Sequence, residues 1–278
     1  MARFSVPGFM GLLLAMALAQ PVTAQAPEVF ENGVVNGASF TPFGEPGHPV
    51  APGSIISIFG TNFAYSFLEA MTVPLSTSLG GVSVTFDGIP APLFFVLQDD
   101  PYGQIIAQLP SELVGPVATI EVSTDYGVSL PLDIQVNSFS PGIFTDPPGG
   151  VGEGVVVFTY EPGVFAALPS IWYPHDRPAR PGDFLTIYAN GLGPVDHPVP
   201  NGEATPSPPP LVRTVEHLVV TLGGVACPIL FSGLAPGFVA LNQINIQVPK
   251  GAPKGAAVPI QIAVGGVTSS DQVTIAVQ

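Results

Sequence analysis

The sequence predicts an all-β protein made of two tandem β-sandwich domains that follow a secretory signal. Three observations support this: an apolar segment at the N-terminus, a composition that disfavours helices, and three segments that recur in the same order. The 278-residue chain has 32 glycines and 34 prolines, which cost about 1 and 3 kcal/mol each in a helix interior. Because 46% of the residues are hydrophobic, short packed strands are expected rather than disorder.

The first 24 residues have the pattern of a cleavable signal peptide. Arg3 supplies the positive charge, residues 9–19 form an uncharged apolar run, and small residues precede a cleavage point after Ala24 or Ala26. The apolar run is too short to cross about 30 Å of hydrocarbon as a helix. We therefore expect export to the cell surface or the extracellular space, with the periplasm as an alternative, and no membrane span in the mature chain.

Charge is distributed unevenly along the chain. Residues 25–150 contain 12 acidic residues and no Lys or Arg, whereas residues 151–278 contain 8 acidic and 5 basic residues. A domain without cations cannot neutralise phosphates, so the sequence argues against nucleic acid as a partner. The formal net charge of −14 is instead typical of a chain kept soluble by its acidity.

The single cysteine, Cys227, excludes an intrachain disulfide. A lone exported thiol could be reactive or could link two chains. Its apolar neighbours favour a buried thiol that packs as a small hydrophobic side chain.

A Pro-Gly turn followed by a mostly apolar strand occurs twice, at residues 52–63 and 181–192. Each strand ends at a Gly/Asn break, where a positive φ is easily reached. The near-continuous hydrophobicity predicts a strand in the centre of a sandwich.

Two further segments repeat in the same order. Residues 82–94 and 218–230 alternate between apolar and polar side chains around an Asp-Gly or Gly-Gly hairpin turn. Residues 104–110 and 243–249 share the pattern Gln-Ile-x-x-Gln-x-Pro. Each copy then closes with a strand that follows a glycine turn. Three ordered matches indicate a duplication.

We therefore divide the mature chain into two sandwiches, residues 25–137 and residues 138–278, each with about six or seven short strands. Residues 155–160 are predicted to form the first strand of the second copy. An insert at residues 199–210, which contains three consecutive prolines, is predicted to be an extended surface loop with polyproline character.

The repeated turn and core residues resemble a known family. Residues 52–63 resemble the opening strand of IPT/TIG domains, which are immunoglobulin-like. The whole arrangement, over residues 34–278, is similar to the uncharacterised Solibacter-type C-terminal domain of exported acidobacterial proteins. The resembling segments are residues 34–40, 50–54, 140–144, 191–194 and 234–238. The resemblance implies immunoglobulin-like sandwiches and no established activity, so it assigns no functional residue.

The sequence contains no constellation typical of a catalytic or metal site, and we expect neither enzyme activity nor a cofactor. No Gly-x-Ser-x-Gly pentapeptide occurs. The four histidines are far apart and none has an i+4 His partner, which gives little support to a zinc site. His175 and Asp176 are adjacent in the sequence, but neighbours in a loop rarely form a catalytic dyad.

Three surface features remain as candidates for ligand binding. The Asp99-Asp100 turn could supply oxygen ligands to Ca²⁺, although a solvated hairpin tip is the plainer interpretation. Trp172 and Tyr173, in the loop at residues 169–178, could stack on sugars; alternatively, one ring plugs the loop. The face carrying Gln104 and Gln108 could bond a ligand or could pair within the sheet.

The sequence therefore predicts a non-catalytic module with a structural, adhesive or binding role at the cell surface or in the extracellular matrix. Its partner would be an unknown protein or polysaccharide. The alternative is a carbohydrate-binding accessory to a secreted polysaccharide-degrading system. An unrecognised hydrolase ranks last, because no residue supports it.

Overall fold

A computed structural model of the chain describes residues 25–45, 47–64, 66–99 and 101–278. The predicted signal peptide, residues 1–24, lies outside this range, as does Asp100. All the regular secondary structure in the described range consists of β-strands, which confirms the all-β prediction. This part of the chain contains no helix with the length and apolar character needed to cross a membrane.

The first copy of the repeat contains eleven strands. They are β1 (Glu28–Asn36), β2 (Ile55–Thr61), β3 (Leu68–Glu69), β4 (Ser78–Leu79), β5 (Val82–Phe86), β6 (Ile89–Pro90), β7 (Leu93–Asp99), β8 (Tyr102–Gln108), β9 (Val117–Thr124), β10 (Gly127–Val128) and β11 (Leu132–Gln135).

The second copy contains the other eleven strands of the described range. They are β12 (Gly142–Ile143), β13 (Gly152–Glu153), β14 (Val156–Phe158), β15 (Phe184–Asn190), β16 (Leu218–Leu222), β17 (Val225–Ala226), β18 (Ile229–Leu234), β19 (Asn242–Gln247), β20 (Gly255–Val264), β21 (Val267–Thr268) and β22 (Val273–Val277).

Each copy forms two sheets. In the first copy, one sheet has the order β1-β2-β8-β7-β3, and the other has the order β10-β9-β5-β4, with β11 on β9 and β6 on β5. In the second copy, one sheet has the order β12-β15-β19-β18, with β14 on β15. The other has the order β13-β22-β20-β16-β17, with β21 on β20. The two copies therefore share the order of their central strands, whereas β3, β4 and β13 at the sheet edges have no counterpart in the other copy.

The predicted repeat is visible in the strand register. Ile55 of β2 pairs with Gln108 of β8, and Phe184 of β15 pairs with Gln247 of β19 in the same way. Neither register shifts along the paired residues of the two strands. Period-two alternation therefore turns the same repeat positions toward the core in both copies.

The turns of the two copies also match. The hairpin turn Asp87-Gly88 has φ values of 50° and 78°, and Gly223-Gly224 has φ values of 56° and 80°. Positive φ at both central residues is the geometry of a type I′ turn, which suits the twist of the flanking strands.

Each pair of sheets encloses its own hydrophobic core. One core is formed by side chains between Val29 and Val136, and the other by side chains between Ile143 and Val277. The tandem-sandwich fold is thus confirmed. The predicted boundary between Asn137 and Ser138 falls between the two cores, and its exact position stays a prediction.

The prediction that residues 155–160 form the first strand of the second copy is wrong, because β12 precedes them. Two short strands, β12 and β14, lie beside β15 and pair with different parts of it. Between these strands the chain crosses to the other sheet, where β13 pairs with β22. The two residues of β12 are too few to show a period-two pattern.

A buried amide cluster joins the two sandwiches. Asn190, at the end of β15, is 0% exposed. Its Nδ2 donates to Asn36 Oδ1 at 2.9 Å and to the Ile55 carbonyl at 2.6 Å, and its Oδ1 accepts from the Ile55 N–H at 3.0 Å. Asn36 in turn donates to the Ser140 carbonyl at 2.6 Å. Residues far apart in sequence thus satisfy one another's buried polar groups.

The insert at residues 199–210 also contacts the first sandwich. The Gly202 N–H donates to Gln108 Oε1 at 2.7 Å, and Asn201 Nδ2 donates to Glu112 Oε2 at 2.6 Å. The prediction of a surface loop is therefore wrong for the start of the insert, which belongs to the interface. The prolines that follow are exposed.

Candidate ligand-binding surface

The loop at residues 169–178 presents large apolar side chains to solvent. Trp172 is 81% exposed and Ile171 is 86% exposed. The interpretation of a ring that plugs the loop is therefore wrong for Trp172. Tyr173 is 49% exposed, and its ring contacts that of Phe165 with a centroid distance of 5.9 Å.

Hydrogen bonds fix the turn that carries Trp172. Ser170 Oγ accepts from the Tyr173 N–H at 3.0 Å, and the Ser170 N–H donates to the Tyr173 carbonyl at 3.2 Å. The buried carboxylate of Asp176 then accepts from the Phe165 N–H at 2.9 Å. Trp172 is thus held at the tip of a short turn with both ends anchored.

Acidic side chains lie beside this turn. The Tyr173 hydroxyl donates to Asp146 Oδ2 at 3.3 Å. The negative charge of Asp146, followed by this hydrogen bond, raises the pKa of Tyr173. Partial burial raises the pKa of Glu153, and the charges of Asp176 and Asp146 add to the effect. The surface next to Trp172 therefore carries negative potential.

Arg177, the Lys or Arg closest to Trp172 in the sequence, is already paired. Arg177 bonds Glu161 at 2.5 Å and Asp183 at 3.0 Å, and its guanidinium carbon lies 3.6 Å from the centroid of the Phe158 ring. Bonding to Glu161 and Asp183 raises the pKa of Arg177, although burial opposes the effect. The guanidinium therefore supports the sandwich beneath the loop and adds little positive potential beside Trp172.

The structure describes only part of the Asp99-Asp100 turn. Asp99 ends β7 at a hairpin tip, while Asp100 lies outside the described residues. Across residues 25–45, 47–64, 66–99 and 101–278, no three His, Cys, Asp or Glu residues form a group that could hold a metal ion. A calcium site at this turn stays a prediction.

The two glutamines on β8 have different surroundings. Gln104 Nε2 donates to Ser57 Oγ on β2 at 3.3 Å, so this amide pairs within the sheet. Gln108 reaches across to the insert of the second copy. The two amides of β8 therefore bond different parts of the chain: Gln104 bonds β2, and Gln108 bonds the insert of the second copy.

Cys227 lies in the core of the second sandwich and is 7% exposed. Burial raises the pKa of its thiol to about 11, so the thiol is protonated at neutral pH and is a poor nucleophile. This agrees with its interpretation as a small hydrophobic side chain.

Sequence reasoning missed a cavity of about 430 Å³ between the two sandwiches. Its walls combine the Pro52-Gly53 turn and the end of β8 with residues 191–195 and the insert. Because both copies contribute, no pattern within one copy indicates the cavity. The signal available was the insert itself, which has no equivalent in the first copy.

No family model matches the sequence, and no curated protein matches it. Among solved structures, the chain is similar to the full extracellular region of plexin A4, domains 1 to 8, with a TM-score of 0.26 and 11% identity, covering 98% of this chain and 20% of that one. A plexin A4 structure of domains 1 to 10 gives a TM-score of 0.25 and 10% identity, covering 98% and 17%.

The chain is also similar to SGBP-B from a complex xyloglucan utilization locus in Bacteroides uniformis, with a TM-score of 0.24 and 13% identity. The match covers 87% of this chain and 47% of SGBP-B. The chain therefore spans less than half the length of each of these proteins. Likeness at these TM-scores carries no argument about ligand or partner.

Proposed function

We propose that this chain is an exported, non-catalytic binding module that holds a polysaccharide at the cell surface or in the surrounding matrix. One observation carries the proposal: the Trp172 ring is 81% exposed at the tip of an anchored turn. A large exposed aromatic side chain adds no burial energy to the folded monomer, whereas its face is available to a ligand.

The neighbours of Trp172 favour a neutral polysaccharide. An indole face packs against the C–H face of a pyranose ring, and the nearby carboxylates of Asp146 and Glu153 accept hydrogen bonds from hydroxyl groups. The same carboxylates, on a chain with a net charge of −14, repel an anionic polymer. Neutral glycans are therefore expected to bind more tightly than uronic-acid or sulfated ones.

Two broader roles are compatible with this site. An adhesive module would bind the polysaccharide of a surface or matrix, and an accessory module would bind the substrate of a separate degrading enzyme. Export, which the signal-peptide pattern of residues 1–24 predicts, is part of this proposal. Chromatography on immobilised polysaccharide distinguishes binding from turnover, because a binding module elutes without altering the glycan.

Replacing Trp172 with alanine is expected to weaken glycan binding about 30-fold, since truncating a central aromatic contact typically costs about 2 kcal/mol or more. Affinity for a panel of neutral and anionic polysaccharides checks this. Thermal unfolding should be unchanged, because the Trp172 side chain is 81% exposed.

Tyr102→Ala is the matched control, because Tyr102 is 65% exposed and lies on the first sandwich. It should bind like the wild type. Equal affinity of the Trp172→Ala variant and the wild type would remove this loop as the site, and binding of none of the panel would overturn the proposal.

A further inference from the structure

Two buried carboxamides line the cavity between the sandwiches. Gln108 is 6% exposed and Asn242 is 4% exposed. Gln108 Oε1 accepts from the Gly202 N–H at 2.7 Å, and Asn242 Oδ1 accepts from the Leu192 N–H at 3.3 Å. These bonds fix the orientation of both amides, because a flipped amide would set its NH₂ group against a backbone N–H.

Each amide then has an NH₂ group to offer. Within the described residues, neither Gln108 Nε2 nor Asn242 Nδ2 has a hydrogen-bond acceptor. The one side-chain atom of this range that is both sealed from solvent and unpaired is Thr205 Oγ1. The two amide nitrogens therefore face accessible space, and both residues line the cavity.

The rest of the wall is mainly apolar. It includes Leu113, Phe139, Leu192 and Val199, together with the prolines 52, 194, 198 and 200. Among the described residues that line it, Glu203 carries a charge and none is Lys or Arg. A carboxylate at the wall, with no cation to balance it, disfavours an anionic ligand.

The dimensions and position suit a small molecule. A volume of about 430 Å³ lies within the range of roughly 300–1,000 Å³ that is usual for ligand pockets, and such pockets occur preferentially where domains meet. An apolar wall with a few fixed polar groups is the usual composition of such a site.

We propose that this cavity is a second binding site, for a small neutral molecule whose mainly apolar frame carries oxygen acceptors. The amide donors of Gln108 and Asn242 bind those oxygens, and the prolines and aliphatic side chains cover the frame. The site is independent of the polysaccharide surface at Trp172.

Three probes of nearly equal size test the required chemistry. Coumarin has two fused rings with a carbonyl and a ring oxygen, naphthalene has the rings without an acceptor, and coumarin-3-carboxylate adds a negative charge. Binding of each to the full mature chain can be followed by saturation-transfer NMR at up to about 1 mM. Coumarin should bind at least tenfold more tightly than either of the other two probes.

Gln108→Glu and Asn242→Asp each keep the oxygen that accepts from the backbone and remove the amide donor. Either change should weaken coumarin binding about tenfold. Gln104→Glu is the matched control, because it makes the same charge change on the same strand outside the cavity, and it should leave coumarin binding unchanged. Val199→Trp fills the cavity from the insert without altering the amides and should abolish binding.

Several results would overturn the proposal. One is that none of the three probes binds at about 1 mM. Another is that coumarin binds no more tightly than naphthalene, or that coumarin binding persists in the Val199→Trp variant. Trp172→Ala should leave coumarin binding intact, so that failure here and failure of the polysaccharide proposal can be told apart.

Discussion

Replacing Asn190 with alanine is expected to lower the free energy of unfolding by about 2–3 kcal/mol. The change leaves the Ile55 N–H without its partner. The Ile55 carbonyl and Asn36 Oδ1 each lose one bond but still accept from the N–H groups of Gly37 and Ala38. Each buried polar group that loses its partner costs about 1–3 kcal/mol. Since Asn190 is 0% exposed, water has no direct route to replace its side chain.

The duplication supplies the control for this experiment. Thr61 ends β2 as Asn190 ends β15, but it is half-buried, so Thr61→Ala should cost less than about 1 kcal/mol. Urea unfolding followed by circular dichroism measures both variants. Equal effects of the two substitutions would mean that the amide cluster does not hold the sandwiches together.

Gly191→Ala is expected to destabilise the chain by about 4 kcal/mol or more, or to prevent folding. Gly191 has a φ of +69°, a left-handed conformation that disfavours a side chain. An added Cβ would also lie 2.0 Å from the Ser140 carbonyl oxygen, which is backbone and cannot rotate away. The interface would have to open to admit one methyl group.

The Asn62→Ala variant separates the conformational cost of a side chain at positive φ from the clash with Ser140. Asn62 occupies the equivalent position in the first copy, with a φ of 60°. Asn62→Ala therefore carries the conformational cost of about 1 kcal/mol without the clash at the interface. Thermal unfolding of both variants checks this, and a similar loss in the two would show that close packing against Ser140 is not what requires glycine at position 191.

Much of the fold could be predicted because it follows from local patterns. Alternation sets both the strand and its buried face, and residues 104–110 and 243–249, which share one sequence pattern, lie in strands with equal registers. The Asp87-Gly88 and Gly223-Gly224 turns were predictable for the same reason, since positive φ is largely a property of the residue itself.

The parts that escaped prediction depend on contacts between the copies. Asn36 and Asn190 are 154 positions apart, and nothing near either residue indicates that they bond. The docking of Gly202 on Gln108, which builds the cavity, is equally long-range. The exposure of Trp172 was undetermined because a loop has no period from which its buried face can be read.

The most direct test of the proposed ligand-binding surface is the fluorescence of Trp172, the single tryptophan of the chain. In the free protein, its emission should be that of a water-exposed indole and should be readily quenched by acrylamide. A saturating neutral polysaccharide should shift the emission to shorter wavelength and protect the ring from the quencher. A shielded indole in the free protein, or an emission that no bound glycan alters, would contradict the assignment of this loop as the binding surface.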